Sequence, residues 1–154
     1  MSESPQWLTA NEERAWRGLL RMNDVLVNRT GRSLHEEFGL SGADYTILAE
    51  LTRVPGGQLR MLEFARTLGW EKSRLSHQLT RMAKRGLVER TECADDRRGA
   101  YVAVTREGRE AITAAAPRHV DDVRRLFIDH LTPGQITLLA EISDPVLERI
   151  DATD

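Results

Sequence analysis

Between Ser73 and Arg85 the chain reads SRLSHQLTRMAKR, a run dense in hydroxyl and guanidinium groups. Leu75, Leu79 and Met82 recur at spacings of four and three, so on a helix they form one inward stripe. Ser73, Arg74, Ser76, His77, Thr80, Arg81, Lys84 and Arg85 are largely what remains on the other faces. Short hydroxyls let a helix backbone come close to base edges. A guanidinium offers a planar fork for guanine O6 and N7, and both cation types neutralise phosphates. A second pair of cations, Arg97 and Arg98, sits in the charged loop Ala94 to Gly99. The chemistry on offer is recognition of a polyanion. The plainer alternative for the helix is a solvated surface face; the loop and turn beside it favour DNA.

The elements that would position these groups follow from pattern. A short apolar helix, Met61 to Leu68, meets a break at Gly69, and a second helix starts near Glu71 or Lys72. Gly86 ends it, since a residue without Cβ adopts the left-handed capping conformation freely. Two β-type segments then flank the arginine loop. The result is a helix-turn-helix with a two-stranded wing, suited to adjacent DNA grooves. Trp70, in the turn, is expected to brace the second helix. Residues 53–98 carry 11 of the 22 basic residues and 6 of the 24 acidic ones, although the net charge is −2. A basic module in an acidic body docks on DNA in one orientation rather than coating it.

The flanks read as long helices. From Ala10 to Phe38, Trp16, Leu19, Leu20, Leu26, Val27 and Leu34 keep helical spacing, broken only by Gly31. Ser41 with Asp44 three residues on forms a capping-box variant for the next helix, which Pro55-Gly56-Gly57 stops. Gln58 to Arg60 is expected to form a brief strand. Thr105 opens a helix to His130 that Pro117 should kink or divide. Thr132-Pro133 opens a last helix, which Asp144-Pro145 should interrupt. These helices carry more apolar surface than a 154-residue monomer easily covers, so a two-fold dimer is the economical solution; a monomer with ordinary core helices is the alternative.

Composition narrows the class. With 40% hydrophobic and 30% charged residues the chain suits one domain, 1–154, mainly α with a small β wing. Within it, 10–38 and 105–151 are expected to be dimerisation helices and 41–104 the winged region, with recognition helix 71–85 and wing 87–104. No apolar run reaches membrane-spanning length, the N-terminus lacks the features of a secretory leader, and one cysteine gives no disulfide framework, so cytoplasm is the expected location.

The residues SRLSHQLTRMAKRGLV, DDRRGAYVAVT with its Asp96-Arg97-Arg98 wing signature, and LRMLEFARTLG, set between long terminal helices, resemble the MarR family of winged-helix transcriptional regulators. The resemblance covers nearly the whole chain. It implies a homodimer on double-stranded DNA, bound to a pseudo-palindrome overlapping a promoter and most often acting as a repressor. By position, Ser73, Arg74, Ser76, His77 and Arg81 fall where family members enter the major groove. Arg98 falls on the wing arginine of the minor groove, where it should favour A·T-rich flanks. Asp96 would hold the wing loop in shape, and Arg97 would contact phosphate or groove. Many relatives are released by a small, often aromatic, ligand; Trp16, Asn23 and Tyr45 are the candidates to line such a pocket, with core packing the alternative for Trp16.

Other chemistries have less support. Cys93 has Glu92 and Ala94 beside it and no flanking cation to stabilise a thiolate, so an inert cysteine is favoured over a redox sensor. His119 and His130 are three helical turns apart, and His35-Glu36-Glu37 lacks the spacing of a metal motif. No cofactor, metal or catalytic residue is expected. There is no nucleophile elbow or phosphate-cradling glycine loop, which argues against an enzyme. A winged module acting mainly through protein contacts, and a redox- or metal-responsive regulator, are the alternatives.

Overall fold

The computed structural model describes residues 6–92 and 99–152. Six helices and three strands follow in the order α1 (Ala10–Phe38), α2 (Gly42–Arg53), β1 (Gln58–Arg60), α3 (Met61–Leu68), α4 (Lys72–Lys84), β2 (Val88–Glu92), β3 (Ala100–Val104), α5 (Arg106–Leu126) and α6 (Pro133–Asp151). Single 3₁₀ turns at Pro55–Gly57 and Ile128–His130 complete the described elements. No helix among them is long and apolar enough to cross a membrane.

The ends of the helices are written in their caps. Thr9, Ser41 and Thr132 each close a capping box with the residue three positions on, and Thr105 caps α5 through the Gly108 amide. Gly39 and Gly69 finish α1 and α3 in the left-handed conformation. Behind α4, Gly86 at φ 75° lets the Leu87 amide bond back to the Met82 carbonyl, so the chain turns sharply into β2.

The sheet is antiparallel in the order β1-β3-β2. Val102 at its centre pairs with Leu59 on one side and Arg90 on the other, and is fully buried. It joins a core of Leu34 and Leu40, Ile47, Leu48 and Leu51 of α2, Phe64, the α4 stripe, Val88, and Ile112 and Ala115 of α5. The core therefore belongs to the winged module and the helix ends that pack on it. Gly108 permits one close approach: a Cβ there would run into the Leu87 carbonyl oxygen and Val104 Cγ2.

Elsewhere the helices are bare. α6 buries no residue, and α1 buries only Leu34. Twelve of the sixteen large exposed hydrophobics lie on these two helices, among them Trp16, Leu19 and Leu20 of α1 and Val146, Leu147 and Ile150 of α6. Asp122, 2% exposed, ties α5 internally and to α1. It accepts from Arg125 at 2.6 Å and Arg118 at 3.3 Å, while Arg118 also bonds Ser33 at 3.1 Å and pairs with Glu37 at 3.2 Å. Burial opposes the Asp122 charge, but Ser33, Arg125 and Arg118 outweigh it and hold the carboxyl below its ordinary range.

Neither proline divides its helix: α5 continues through Pro117, and α6 continues through Pro145, where an interruption was expected. A proline removes one hydrogen bond, to the carbonyl four residues earlier. Those residues, Thr113 and Glu141, are exposed, which lowers the cost of a freed carbonyl, and in α5 the Ile112–Ala115 packing and the Asp122 clamp hold both sides together. α5 also stops at Leu126 rather than His130. Phe127 leaves helical geometry at φ −138°, and His130 Nε2 donates to the Arg125 carbonyl at 3.0 Å.

Candidate nucleic-acid interface

α4 presents two chemically distinct sides. Leu75, Leu79 and Met82 are fully buried, which fixes the rotation of the helix about its axis. Ser73, Arg74, His77, Thr80, Arg81 and Lys84 are consequently exposed, and Ser76 is half-buried. Arg74 stands over the Trp70 ring, its guanidinium carbon 4.1 Å from the centroid. This stack holds a flexible side chain at the start of the helix without neutralising it. The bracing expected of Trp70 is thus directed at Arg74. From the sheet, exposed Arg90 donates to Thr80 Oγ1 at 3.3 Å, adding a cation beside the outer face that the sequence pattern did not single out.

Not every basic residue of α4 and its C-cap faces outward. Arg85 turns back to pair with Asp44 at 2.7 Å and to donate to the Gly39 carbonyl at 2.7 Å. Gln78, 6% exposed, also points inward and reaches Asp44 at 2.6 Å. Sequence pattern assigned Asp44 a capping role only and passed over Gln78. The available signal was position: 78 falls on the same arc as 75, 79 and 82, where a glutamine needs a buried partner.

A cavity of about 890 Å³ lies between α1, α2, α5 and the start of α4, with Asn23, Tyr45, Arg53, Trp70, Arg74 and His119 in its wall. Asn23 and Tyr45 both line it. Trp16, two turns earlier on α1 and 54% exposed, is not part of the wall. The Tyr45 and His119 rings are 4.1 Å apart, centroid to centroid. Burial raises the Tyr45 phenol against the opposing pull of Arg53, and lowers the His119 imidazole against that of Asp122. His119 Nδ1 is buried and makes no hydrogen bond among the described residues. Cys93, Asp96, Arg97 and Arg98 lie outside the described residues. Among those described, no cluster of three His, Cys, Asp or Glu side chains could hold a metal ion.

Comparison with known proteins decides the identity of this arrangement. The family model described as MarR family matches residues 38–99. AbsC, a MarR family transcriptional regulator from Streptomyces coelicolor, superposes with a TM-score of 0.86 at 40% identity, over 96% of this chain and 99% of AbsC. The chain belongs to the MarR family. Sco3205, another MarR family regulator of S. coelicolor, solved in complex with DNA, aligns with this MarR-family chain at 38% identity and a TM-score of 0.87, over 96% of this chain and 92% of Sco3205. The transcriptional regulator HosA of Escherichia coli is 29% identical over 123 residues, 79% of this chain and 88% of HosA. The protein is thus a transcriptional regulator with a winged helix of the DNA-binding type.

Proposed function

We propose that this MarR-family regulator acts as a homodimer that seats two α4 helices in successive major grooves of a pseudo-palindromic operator and represses the promoter it covers. The observation that carries this reading is the division of α4. A fully buried apolar stripe fixes the helix, and an exposed arc of hydroxyls and cations faces away from the core. Ser73, Arg74, Ser76, His77 and Arg81 are the proposed major-groove contacts. Arg98 is assigned to the minor groove, Arg97 to phosphate or groove, and Asp96 to support of the wing. The dimer rests on the bare apolar faces of α1 and α6, which water disfavours. Sco3205, 38% identical, having been solved on DNA supports the same mode here.

The cavity against α4 is assigned to a small aromatic effector. Tyr45, Trp70 and His119 supply aromatic walls, and Arg74 belongs both to that wall and to the outer start of α4. A ligand there changes DNA affinity only by favouring one placement of α4 over another. Selection of bound fragments from a random duplex pool at near-physiological salt tests the proposal. A two-fold motif with half-sites about one helical turn apart is the expected product. Fragments without a shared motif, lost uniformly as salt rises, would reject operator recognition.

A further inference from the structure

Asp44 is 2% exposed, and three donors converge on it. The Ser41 amide at 2.9 Å and Arg85 Nη1 at 2.7 Å meet Oδ2, and Gln78 Nε2 meets Oδ1 at 2.6 Å. An ionised carboxylate only accepts, so the Gln78 amide is held with its nitrogen toward α2 and its oxygen turned the other way. That oxygen accepts a hydrogen bond from Arg81 Nη2, one turn further along α4. Asp44 is therefore linked through a neutral amide to an exposed arginine.

We infer that Gln78 is a positioning residue: held by Asp44, it presets the Arg81 guanidinium for the DNA that α4 meets. This rests on the placement of Arg81 in the interface proposed above. A guanidinium is planar and carries five N–H donors, so one bond at Nη2 orients its plane and leaves the other donors for a base edge or phosphate. Ordering the side chain before DNA arrives removes part of the entropy cost of binding. The neutral amide matters. Asp44 pairs directly with Arg85 and spends that cation on the joint of α1, α2 and α4. Through Gln78 the same carboxylate orients Arg81 and leaves its charge uncancelled.

The experiment is a double-mutant cycle on DNA affinity. Gln78→Met, Arg81→Ala and the combined variant are titrated by fluorescence anisotropy against a labelled duplex bearing the motif recovered from the random pool. Thermal melts accompany each. Arg81→Ala is expected to weaken binding, and Gln78→Met to weaken it about tenfold, in line with loss of a bond to a charged group. In the Arg81→Ala background Gln78→Met should change affinity by less than about twofold, because the two act as a unit. Should Gln78→Met fail to fold, Gln78→Asn, one methylene too short to span Asp44 and Arg81, takes its place in the cycle. Parental affinity in the position 78 variant, or losses that multiply in the combined one, would overturn the relay while leaving DNA recognition intact. An Arg81→Ala variant that binds like the parent would instead remove Arg81 from the interface, and the relay with it.

Discussion

Arg74 is the residue whose role can be weighed most directly, because its side chain is already ordered on Trp70 before any ligand is present. Arg74→Ala removes the fork and the charge, and is expected to weaken operator binding by about 1–3 kcal/mol. Trp70→Ala keeps the charge but frees the side chain, so it should weaken binding less; anisotropy titrations of the two variants check the order. His119 supports a prediction about pH. Burial lowers its imidazole below the ordinary value of 6.5, so the unfolded chain takes up a proton before the folded one does. Stability from this group is therefore present above pH 6.5 and declines as pH falls through 6.5 toward the lower folded value. Asp122, also lowered, loses its contribution in a more acidic window, below its ordinary 3.8. Between pH 5 and pH 8, a range of about one to two units on either side of 6.5, the melting temperature of the parent should fall relative to that of His119→Phe as the solution acidifies. Parallel curves would show that His119 does not titrate on unfolding. The outward residues of α4 were legible in the sequence because apolar spacing alone defines an inward stripe, and everything else follows by exclusion. Asp44, Gln78 and Arg85 were not legible as a group. Their link spans 34 and 41 residues of chain, a distance over which periodicity carries no information.

At the scale of elements, caps and breakers carried most of the information. Ser41, Thr105 and Thr132 mark helix starts, and Gly69 and Gly86 mark ends, through local chemistry that needs no tertiary context; the Thr9 cap of α1 emerged only with the structure. The prolines divide neither helix because their cost depends on surroundings: the residues four positions back are exposed, and α5 and α6 both continue. One tight element junction is where the first turn of α5 meets Leu87 and β3. Gly108→Ala would drive a methyl group into the Leu87 carbonyl oxygen, which is backbone and cannot rotate away. Thr105 is tied to the same place, its hydroxyl donating to the Gly86 carbonyl at 2.6 Å and its amide to the Leu87 carbonyl at 3.2 Å. Overpacking of this kind costs about 1–3 kcal/mol. Gly108→Ala is therefore expected to lower the melting temperature by several degrees, whereas Gly134→Ala, in open space at the start of α6, should leave it close to the parent. Equal melts for all three proteins would mean that the sheet yields to the methyl group at little cost.

At the scale of the whole molecule, charge and apolar surface are sorted into different places. The winged region holds the basic excess, and the uncovered hydrophobic side chains concentrate on α1 and α6. Full burial of one large aliphatic side chain is worth about 1.5–3 kcal/mol. The six exposed on α6 alone (Ile136, Leu138, Ile142, Val146, Leu147 and Ile150) thus offer enough, if most are covered, to offset the translational and rotational entropy lost in pairing. A second copy of the chain presents the same unmet faces, which makes it the economical partner. Replacing Val146 and Ile150 together by glutamate would place two charges on that surface, where burial without partners is costly. The variant is expected to elute as a monomer with the helical content of the parent. Its operator affinity should fall further than any single α4 substitution brings about, because each winged module would then bind alone and the linked second contact would be lost. Light scattering after size exclusion, combined with anisotropy on full and half operators, separates the outcomes. If the double variant still dimerises, the interface lies away from the exposed face of α6. If it becomes monomeric yet binds the full operator as the parent does, the two half-sites are not engaged by one linked dimer.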